Sequence, residues 1–318
     1  MNRTTKRRYA APASMALALT FALAACGGQQ GSAGEGMSGA VKIDGSSTVE
    51  PLSSAASELY SEEQPEVQVT VGSSGTSGGF EAFCAGRTDI SDASRRIEPE
   101  EEQVCKKAGI EYTELQVAND ALTVVANKNV PVDCITTTQL KKIWGPSAEG
   151  KITNWKQVDP SFPDMPLKLF GPGTDSGTFD YFTEEINGEE GVSRADYEAS
   201  EDDNVLVEGV ANTPGALRYF GYTYYEENTD KLKALEVDSG NGCVAPSAET
   251  AQSGEYTPLA RPLFIYVNEK SYSDKPQVAS YVDFYVQNLQ KITEAAKYIQ
   301  LNGQQEQATQ DALSGLGG

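Results

Sequence analysis

Residues 41–51 read VKIDGSSTVEP, a short apolar segment followed by a turn rich in hydroxyl groups. Residues 41–44 have the apolar character of a strand, and the hydroxyls of residues 46–48 are typical of a helix start. Residues 51–60 carry apolar side chains at helical spacing, so they predict an amphipathic helix. This stretch therefore predicts a strand, a polar turn and a helix in succession.

The same unit occurs twice more along the chain. Residues 67–83 pass from alternating valines through GSSGTSGG to a helical segment, and residues 167–186 pass from an apolar run through GPGTDSGT to another. Further predicted elements are apolar strands at 121–126 and 263–267, helices at 138–144, 277–289 and 293–301, and a polar tail from 302 that favours a helix only in its middle. Strands that alternate with helices predict an α/β fold, whose mostly parallel sheet is covered on both faces.

The composition excludes several classes of protein. A length of 318 residues suffices for about two domains with a substantial core. The 25 Lys and Arg residues against 46 Asp and Glu residues give a net charge of −21, which excludes a nonspecific nucleic-acid binder. The chain has no histidine, so Ser-His-Asp catalysis, Cys-His catalysis and histidine-containing zinc sites are excluded as well.

The N-terminus has the pattern of an export signal. Basic residues between Arg3 and Arg8 precede an apolar, uncharged segment at 15–25, which is too short to span a membrane. LAAC at residues 23–26 resembles the bacterial lipobox, in which the cysteine is diacylated and becomes the new N-terminus. We expect a signal peptide at 1–25, lipidation of Cys26 that anchors the protein to the outer face of the cell membrane, and a flexible tether at 26–40. An ordinary secretory signal with an incidental cysteine is the alternative.

Four further cysteines are present: Cys84, Cys105, Cys134 and Cys243. An even number in an exported chain predicts two disulfides, which three different pairings would satisfy. We favour Cys84 with Cys105 and Cys134 with Cys243. Unpaired buried thiols are one alternative, and a zinc site is another, although no two of the cysteines have zinc-ligand spacing.

The three polar turns have the chemistry of an anion site. The first N–H groups of a helix are unpaired and carry partial positive charge, so a helix start can bind an anion. Glycines let the backbone approach closely, and Ser and Thr hydroxyls add donors. In α/β sheets such turns gather at the carboxyl ends of the strands. Ordinary helix caps are the alternative for any one turn. The turns lack the Walker lysine and the dinucleotide glycine spacing, so they do not support nucleotide binding.

Together, five segments resemble the phosphate-binding lipoprotein of ABC-type phosphate importers, with matching order and spacing over residues 41–301. They are DGSSTVEP at 44–51, GTSGGF at 75–80, DISDASR at 89–95, GTDSGTF at 173–179 and PGALRYF at 214–220. The resemblance implies a two-lobe hinged clamp of periplasmic-binding-protein type II. Each lobe would be a mixed, mostly parallel sheet flanked by helices, and phosphate would lie desolvated in the cleft between the lobes.

The same resemblance implies how the protein works. It implies a monomeric, extracytoplasmic solute-binding protein that delivers inorganic phosphate to a membrane permease and that is not an enzyme, with no cofactor and no metal. For such a clamp we place residues 41–127 plus 259–318 in one lobe and residues 128–258 in the other. Each favoured disulfide would then lie within one lobe and leave the hinge free to move.

The resemblance also implies the ligand contacts. At the start of the first helix these are the Thr48 hydroxyl and the Val49 backbone N–H, with Ser47 as a neighbouring contact. The second turn contributes Thr76 and Ser77, and the opposite lobe contributes Ser176, Gly177 and Thr178.

Two positions differ from the family pattern. Well-studied members pair the phosphate with an arginine a few residues before Ser-Gly-Thr, where this chain has Pro172. We expect Arg95 to supply the charge instead, since a guanidinium can bind two phosphate oxygens. Well-studied members also have an aspartate that accepts the phosphate proton and so excludes sulfate. In this chain Ser94 occupies that position. Asp92 and Asp175 are the nearby carboxylates that could take over this role.

Two other functions remain open at this point. The cleft could bind another tetrahedral oxyanion, such as sulfate, arsenate or molybdate. The protein could instead be an exported phosphate-ester hydrolase that uses Ser176 or Thr178 as its nucleophile. The second alternative lacks a histidine base and a dense carboxylate cluster for two metals.

Overall fold

The computed structural model describes residues 37–174, 176–200 and 202–316. The predicted signal peptide, Cys26, most of the predicted tether and Asp175 lie outside these residues. The first strand begins at Gly39, so the last two residues of the predicted tether belong to that strand. Within the described residues, no helix combines the length and the apolar character that a membrane span requires.

The strands are β1 Gly39–Gly45, β2 Val67–Val71, β3 Ile90–Ala93, β4 Tyr112–Asn127, β5 Cys134–Thr136, β6 Lys168–Gly171, β7 Glu198–Ala199, β8 Ala216–Gly221, β9 Leu232–Ala234, β10 Glu236–Asp238, β11 Cys243–Val244 and β12 Ala260–Asn268. The helices are α1 Glu50–Glu63, α2 Thr76–Cys84, α3 Pro99–Ala108, α4 Thr137–Trp144, α5 Trp155–Val158, α6 Gly177–Phe182, α7 Asp203–Asn212, α8 Tyr222–Glu226, α9 Ala248–Ser253, α10 Glu269–Asp274, α11 Pro276–Gln287, α12 Leu289–Ala295 and α13 Gly303–Leu316. A 3₁₀ turn covers Pro146–Ala148, and a π-helical turn covers Thr183–Asn187 directly after α6.

The strands form one large mixed sheet and one small sheet. The large sheet has the order β2-β1-β3-β12-β4-β8-β6-β7, with β9 also on β4, and the small sheet has the order β11-β10-β5. β1 is parallel to both β2 and β3, and β6 is parallel to both β7 and β8. β12 runs antiparallel between β3 and β4. The predicted α/β class with mixed sheets is therefore confirmed.

The long strand β4 joins two hydrophobic cores. It pairs with β12 over residues 112–121 and with β8 over residues 122–126. Its residues 115, 117 and 118 belong to a core with α1, α11 and α13, whereas residues 121, 122, 124 and 126 belong to a second core around Trp144 and Trp155. Both tryptophans are fully buried, as expected for core residues rather than for a ligand-binding wall. β12 likewise has Leu263 in the first core, and Leu259 just before it lies in the second.

Both favoured disulfides are present. Cys84 at the end of α2 is bonded to Cys105 in α3, and Cys134 in β5 is bonded to Cys243 in β11. Cys134 and Cys243 lie near Glu236 in a group close enough to ligate a metal. Because these two sulfurs are bonded to each other, they have no thiolate to offer to zinc.

The C-terminal part differs from its sequence prediction. The predicted helix at 293–301 is wrong, because α12 ends at Ala295 and Lys297 takes a left-handed φ of 59°. Ile299 then pairs with Asn119 of β4 and packs into the second core. The tail is more helical than expected, since α13 covers residues 303–316 and buries Leu316 on the first core.

Candidate functional site

The first polar turn is fixed at the carboxyl end of β1. The Ser46 N–H donates to the Asp92 carbonyl at 2.9 Å, which ties the turn to β3. The Glu50 N–H donates to the Ser46 carbonyl at 2.9 Å, and α1 begins at Glu50. The Ser46 hydroxyl accepts a hydrogen bond from the Thr48 N–H at 3.2 Å. Ser46 thus caps the turn and leaves the hydroxyls of Ser47 and Thr48 to line the neighbouring cavities.

The second turn lies beside the first because α2 packs closely on β1. A Cβ atom at Gly79 would lie 2.5 Å from the Gly45 Cα, so only glycine allows this approach. Thr76, the first residue of α2, places its hydroxyl oxygen 3.1 Å from the Ser94 hydroxyl oxygen and accepts the Ser94 N–H at 3.2 Å. Ser94 follows β3, so the ends of β1, β3 and the turn after β2 meet, as expected for neighbouring parallel strands.

The third turn meets the first from the second core. Ser176 caps α6, and its hydroxyl accepts the Thr178 N–H at 3.2 Å. A Cβ atom at Gly177 would lie 3.2 Å from Ser47 Oγ, Thr48 N and Thr48 Oγ1. The Ser-Gly-Thr turn therefore lies directly against the start of α1, and the two predicted sets of donors face each other.

Two cavities lie on either side of this contact. The larger, about 630 Å³, is lined by Ser47, Thr48, Thr76, Ser77, Ser94 and Arg95 among others. The smaller, about 250 Å³, is lined by Ser47, Thr48, Ser176, Gly177 and Thr178 among others. Ser47 and Thr48 line both cavities, so they lie at the centre of the candidate site.

Two residues proposed from the sequence lie away from both cavities. The Val49 N–H donates to the Ser46 carbonyl at 3.1 Å, and the Val49 side chain is buried. A phosphate contact to this N–H would require the turn to open. Asp92 is a fully buried residue of β3, and its carboxylate accepts a hydrogen bond from the Ser53 hydroxyl at 2.9 Å. Burial outweighs that hydrogen bond and raises the pKa of Asp92 to about 8.

Arg95 lines the larger cavity but is already paired. Its two terminal nitrogens lie 2.8 and 2.9 Å from the carboxylate oxygens of Glu101, and one of them also donates to Ser77 Oγ at 2.8 Å. Its side chain keeps 31% of its surface exposed. The hydrogen bond with Glu101 is the main reason that the pKa of Arg95 is raised. The charge of Arg95 is therefore largely balanced by α3.

Arg261 also lines the larger cavity, and the sequence analysis did not identify it. It lies in β12 and donates from Nη2 to Thr48 Oγ1 at 2.7 Å. Its Nε lies 3.5 Å from Asp120 Oδ2, and the exposed fractions of the two side chains are 12% and 8%. Burial raises the pKa of Asp120, and the charge of Arg261 opposes this effect. The two residues face each other across the antiparallel pairing of β12 with β4. The Arg261–Asp120 pair could have been predicted only from the register of β12 on β4.

The opposite wall of the larger cavity is acidic. Asp180 and Tyr181 in α6 and Glu184, Glu185 and Glu190 after it line this wall. Partial loss of hydration and the neighbouring Glu184 raise the pKa of Glu185, whereas Arg261 lowers it. The cavity thus has a wall rich in hydrogen-bond donors and a wall rich in carboxylates.

Comparison with known proteins identifies the family. Residues 30–288 match the family model described as "PBP superfamily domain". The chain belongs to this superfamily. The SphX protein of Synechococcus elongatus is 52% identical over 262 residues, covering 82% of this chain and 77% of that protein. The phosphate-binding protein PstS of Staphylococcus saprophyticus is 40% identical over 289 residues, covering 90% of this chain and 88% of that protein. Within the superfamily, the chain is therefore a member of the family that includes PstS and SphX.

Solved structures of family members share the fold. A possible phosphate-binding protein from Planctomyces limnophilus matches with a TM-score of 0.83 and 45% identity, covering 88% of this chain and 99% of that one. PstS from Borrelia burgdorferi matches with a TM-score of 0.62 and 26% identity, covering 83% and 99%. The predicted two-lobe fold class is thereby confirmed, and so is the family predicted from the five motifs.

Proposed function

We propose that this protein captures inorganic phosphate in the cleft between its lobes and delivers it to the permease of an ABC importer. The observation that supports this proposal most is the close approach of Gly177 to Ser47 and Thr48. It brings hydrogen-bond donors of the first turn and of the Ser-Gly-Thr turn to one point. The relative at 40% identity is a phosphate-binding protein, which supports phosphate as the ligand. The relative at 52% identity is SphX.

The chemistry of the turns supports an oxyanion as the ligand. Hydroxyl and backbone N–H donors of this kind suit a small anion, and they gain strength when water is excluded from the closed cleft. We propose that the oxyanion binds at Ser47 and Thr48, between the second turn and the Ser-Gly-Thr turn. The proposed contact residues are Ser47, Thr48, Thr76, Ser77, Ser94, Asp175, Ser176, Gly177 and Thr178. Val49, whose N–H donates to the Ser46 carbonyl, and Arg95, which is paired with Glu101, are left out of this set. Micromolar or tighter affinity, about −8 kcal/mol or better, is expected for such a site.

The lobes are proposed as residues 41–127 plus 259–318 and residues 128–258, with one refinement. The change of strand partner along β4 supports a first crossing at residues 121–122, a few residues before the end of that strand. The second crossing, at residues 258–263, is supported by the change of core between Leu259 and Leu263. Both disulfides lie within single lobes under this division, so they do not oppose hinge motion.

We further propose that Asp120 accepts the proton of bound phosphate and so excludes sulfate, which has no proton to donate at neutral pH. Asp120 lines the smaller cavity with Ser176, Gly177 and Thr178, whereas Asp92 lines neither cavity. In Asp120→Asn we expect sulfate to compete with phosphate, because the repelling carboxylate is gone. Competition titrations on the two chains measure this effect, and unchanged exclusion of sulfate by the variant would contradict the role.

The location of the protein in the cell is proposed from its N-terminal sequence. A lipid on Cys26 would hold the folded body at the outer face of the cell membrane as a monomer. Mass spectrometry of the membrane fraction, compared with a Cys26→Ala variant that remains unmodified, tests this anchor.

Calorimetric titration of the chain that begins after Cys26, stripped of phosphate, tests the main proposal. We expect one phosphate per chain with micromolar or tighter affinity, and no signal from sulfate. Thr48→Val should weaken binding by about tenfold, because it removes a donor at the centre of the site. Thr70→Val is the matched control, since Thr70 is exposed on β2 and lines neither cavity. Absence of phosphate binding, or turnover of phosphate esters, would overturn the proposal.

A further inference from the structure

The four described cations that line the two cavities differ in their partners. Arg95 is held by Glu101, and Arg96 donates to Glu114 with its side chain 70% exposed. Lys297, at the smaller cavity, pairs with Glu227 at 2.8 Å and is 39% exposed. Arg261 is the most buried of the four, at 12% exposed. An ion pair in water contributes little to binding a further anion, because solvent screens it. Burial therefore singles out Arg261.

Arg261 is also the least satisfied of these cations. Its Nε is buried, and none of the residues that the structure describes gives it a hydrogen-bond partner. The nearest carboxylate oxygen, Asp120 Oδ2, lies 3.5 Å from this nitrogen, which is within ion-pair range but too long for a good N–H···O bond. A guanidinium carries five N–H donors in a fixed fork, and a buried donor left unpaired costs free energy. An oxyanion beside Arg261 would supply acceptors that Asp120 alone does not.

The guanidinium is held in place before any anion arrives. Its Cζ lies 3.3 Å from the ring centroid of Tyr181, and the Tyr181 hydroxyl donates to the Pro258 carbonyl at 2.6 Å. On its other side, Arg261 donates to the hydroxyl of Thr48, whose own carbonyl accepts the Tyr298 hydroxyl at 2.7 Å. A cation fixed in this way loses little rotamer entropy on binding.

The position of Arg261 fits the proposed ligand. Its hydrogen bond to Thr48 places the charge at the residue that lines both cavities. When the guanidinium donates to Thr48 Oγ1, that hydroxyl can turn its own proton toward a ligand. Tyr181 belongs to the helix that follows the Ser-Gly-Thr turn, so Arg261 contacts elements of both lobes at the point where the donors meet.

Resting on the proposed function, we infer that Arg261 is the binding residue that supplies the positive charge for the oxyanion, with Asp120 as its positioning residue. It takes the place of the arginine that is absent near Pro172, and it approaches from the central strand β12 rather than from the Ser-Gly-Thr turn. Arg95 then serves mainly to hold Ser77 and α3 in place.

Phosphate titrations on five chains test the inference: the unaltered protein, Arg261→Gln, Arg261→Lys, Arg95→Gln and the double variant Asp120→Asn/Arg261→Gln. We expect Arg261→Gln to weaken binding by about 100-fold, as for loss of a buried charged partner. Arg261→Lys should lose about tenfold, because it keeps the charge but not the fork. Arg95→Gln should lose less than about threefold, because its charge is exposed and already paired.

The double variant guards against misfolding. Arg261→Gln leaves Asp120 as an unpaired buried charge, whereas the double variant removes both charges and should fold with an unchanged circular dichroism spectrum. It should still bind phosphate at least about 30-fold more weakly than the unaltered chain. If either glutamine variant binds phosphate within about threefold of the unaltered chain, the role of Arg261 is overturned and the proposed function stands. If the unaltered chain binds no phosphate, both are overturned.

Discussion

Two walls of the same cavity carry an arginine paired with a carboxylate, and their surroundings differ. On one wall, Arg95, which follows β3, meets Glu101 of α3 with its side chain 31% exposed. On another, Arg261 of β12 meets Asp120 of β4, and the two side chains are 12% and 8% exposed. The first pair can be satisfied by water, whereas the second depends on its protein partners. The difference teaches that burial, rather than the presence of a charge near a motif, decides which cation is available to an anion.

The largest expected effect concerns Asp92, a buried carboxylate that forms no ion pair with any of the described residues. Burial raises the pKa of Asp92 to about 8 in the folded chain, and within the described part of the chain one of its carboxylate oxygens has no hydrogen-bond partner. In an unfolded chain the pKa of an aspartate is about 3.9. Between these values the folded state keeps a proton that the unfolded state has lost, so stability falls as the pH rises toward 8.

We therefore expect the free energy of unfolding to fall between pH 5 and pH 8 by on the order of 4 kcal/mol through Asp92. In Asp92→Asn this part of the pH dependence should disappear. Denaturant titrations across that range measure it, with Asp311→Asn, exposed on α13, as the matched control. Equal slopes in Asp92→Asn and the unaltered chain would show that Asp92 ionises normally in the fold.

The next prediction compares the two ion pairs directly. Arg261→Gln should lower the free energy of unfolding by about 3 kcal/mol, because it leaves Asp120 buried without its partner. Arg95→Gln should lower it by less than about 1 kcal/mol, because Glu101 can be solvated. Thermal and denaturant unfolding of both variants, at low and high salt, give the comparison. Similar losses in the two variants would mean that the Arg261–Asp120 pair is solvated like the Arg95–Glu101 pair.

The same contrast explains what could be predicted from the sequence. Thr48, Thr76 and Ser176 lie in the polar turns that follow apolar strands, so local patterns identified these turns and the family. Arg261 and Asp120 are 141 positions apart, and only the register of β12 on β4 brings them together. Asp92 was a reasonable candidate from its place in a motif, but every residue of β3 is buried. A fully buried strand has no alternation that could have indicated which way its side chains point.

The helix predicted at 293–301 failed for a related reason. Its apolar spacing suits one buried face, but the chain divides these residues between two cores, with Ile299 in one and Leu301 in the other. Periodicity reports that a residue is buried and cannot say against which core it is buried.

A smaller effect is expected where the two lobes touch. In Gly177→Ala the added methyl group would lie 3.2 Å from three atoms of Ser47 and Thr48, so the turn must shift outward. Phosphate should bind about tenfold more weakly, because the donors of the two lobes would no longer converge. Gly303→Ala is the control, since a methyl group there meets no atom of the described residues within 4 Å. Titration of both variants decides the matter, and unchanged affinity in Gly177→Ala would mean that the lobes need not close this tightly.

The smallest effect concerns the acidic wall that faces Arg261. Glu185 lines the cavity, and its pKa responds to the charge of Arg261. Because it competes with phosphate for that charge, Glu185→Gln should tighten phosphate binding by about two- to threefold at low salt. The gain should shrink in high salt, since Glu185 is exposed. Glu189→Gln, exposed and outside the cavity lining, should change nothing. If Glu185→Gln instead binds phosphate more weakly, this carboxylate helps Arg261 to hold the lobes together, and the acidic wall belongs to the closing mechanism.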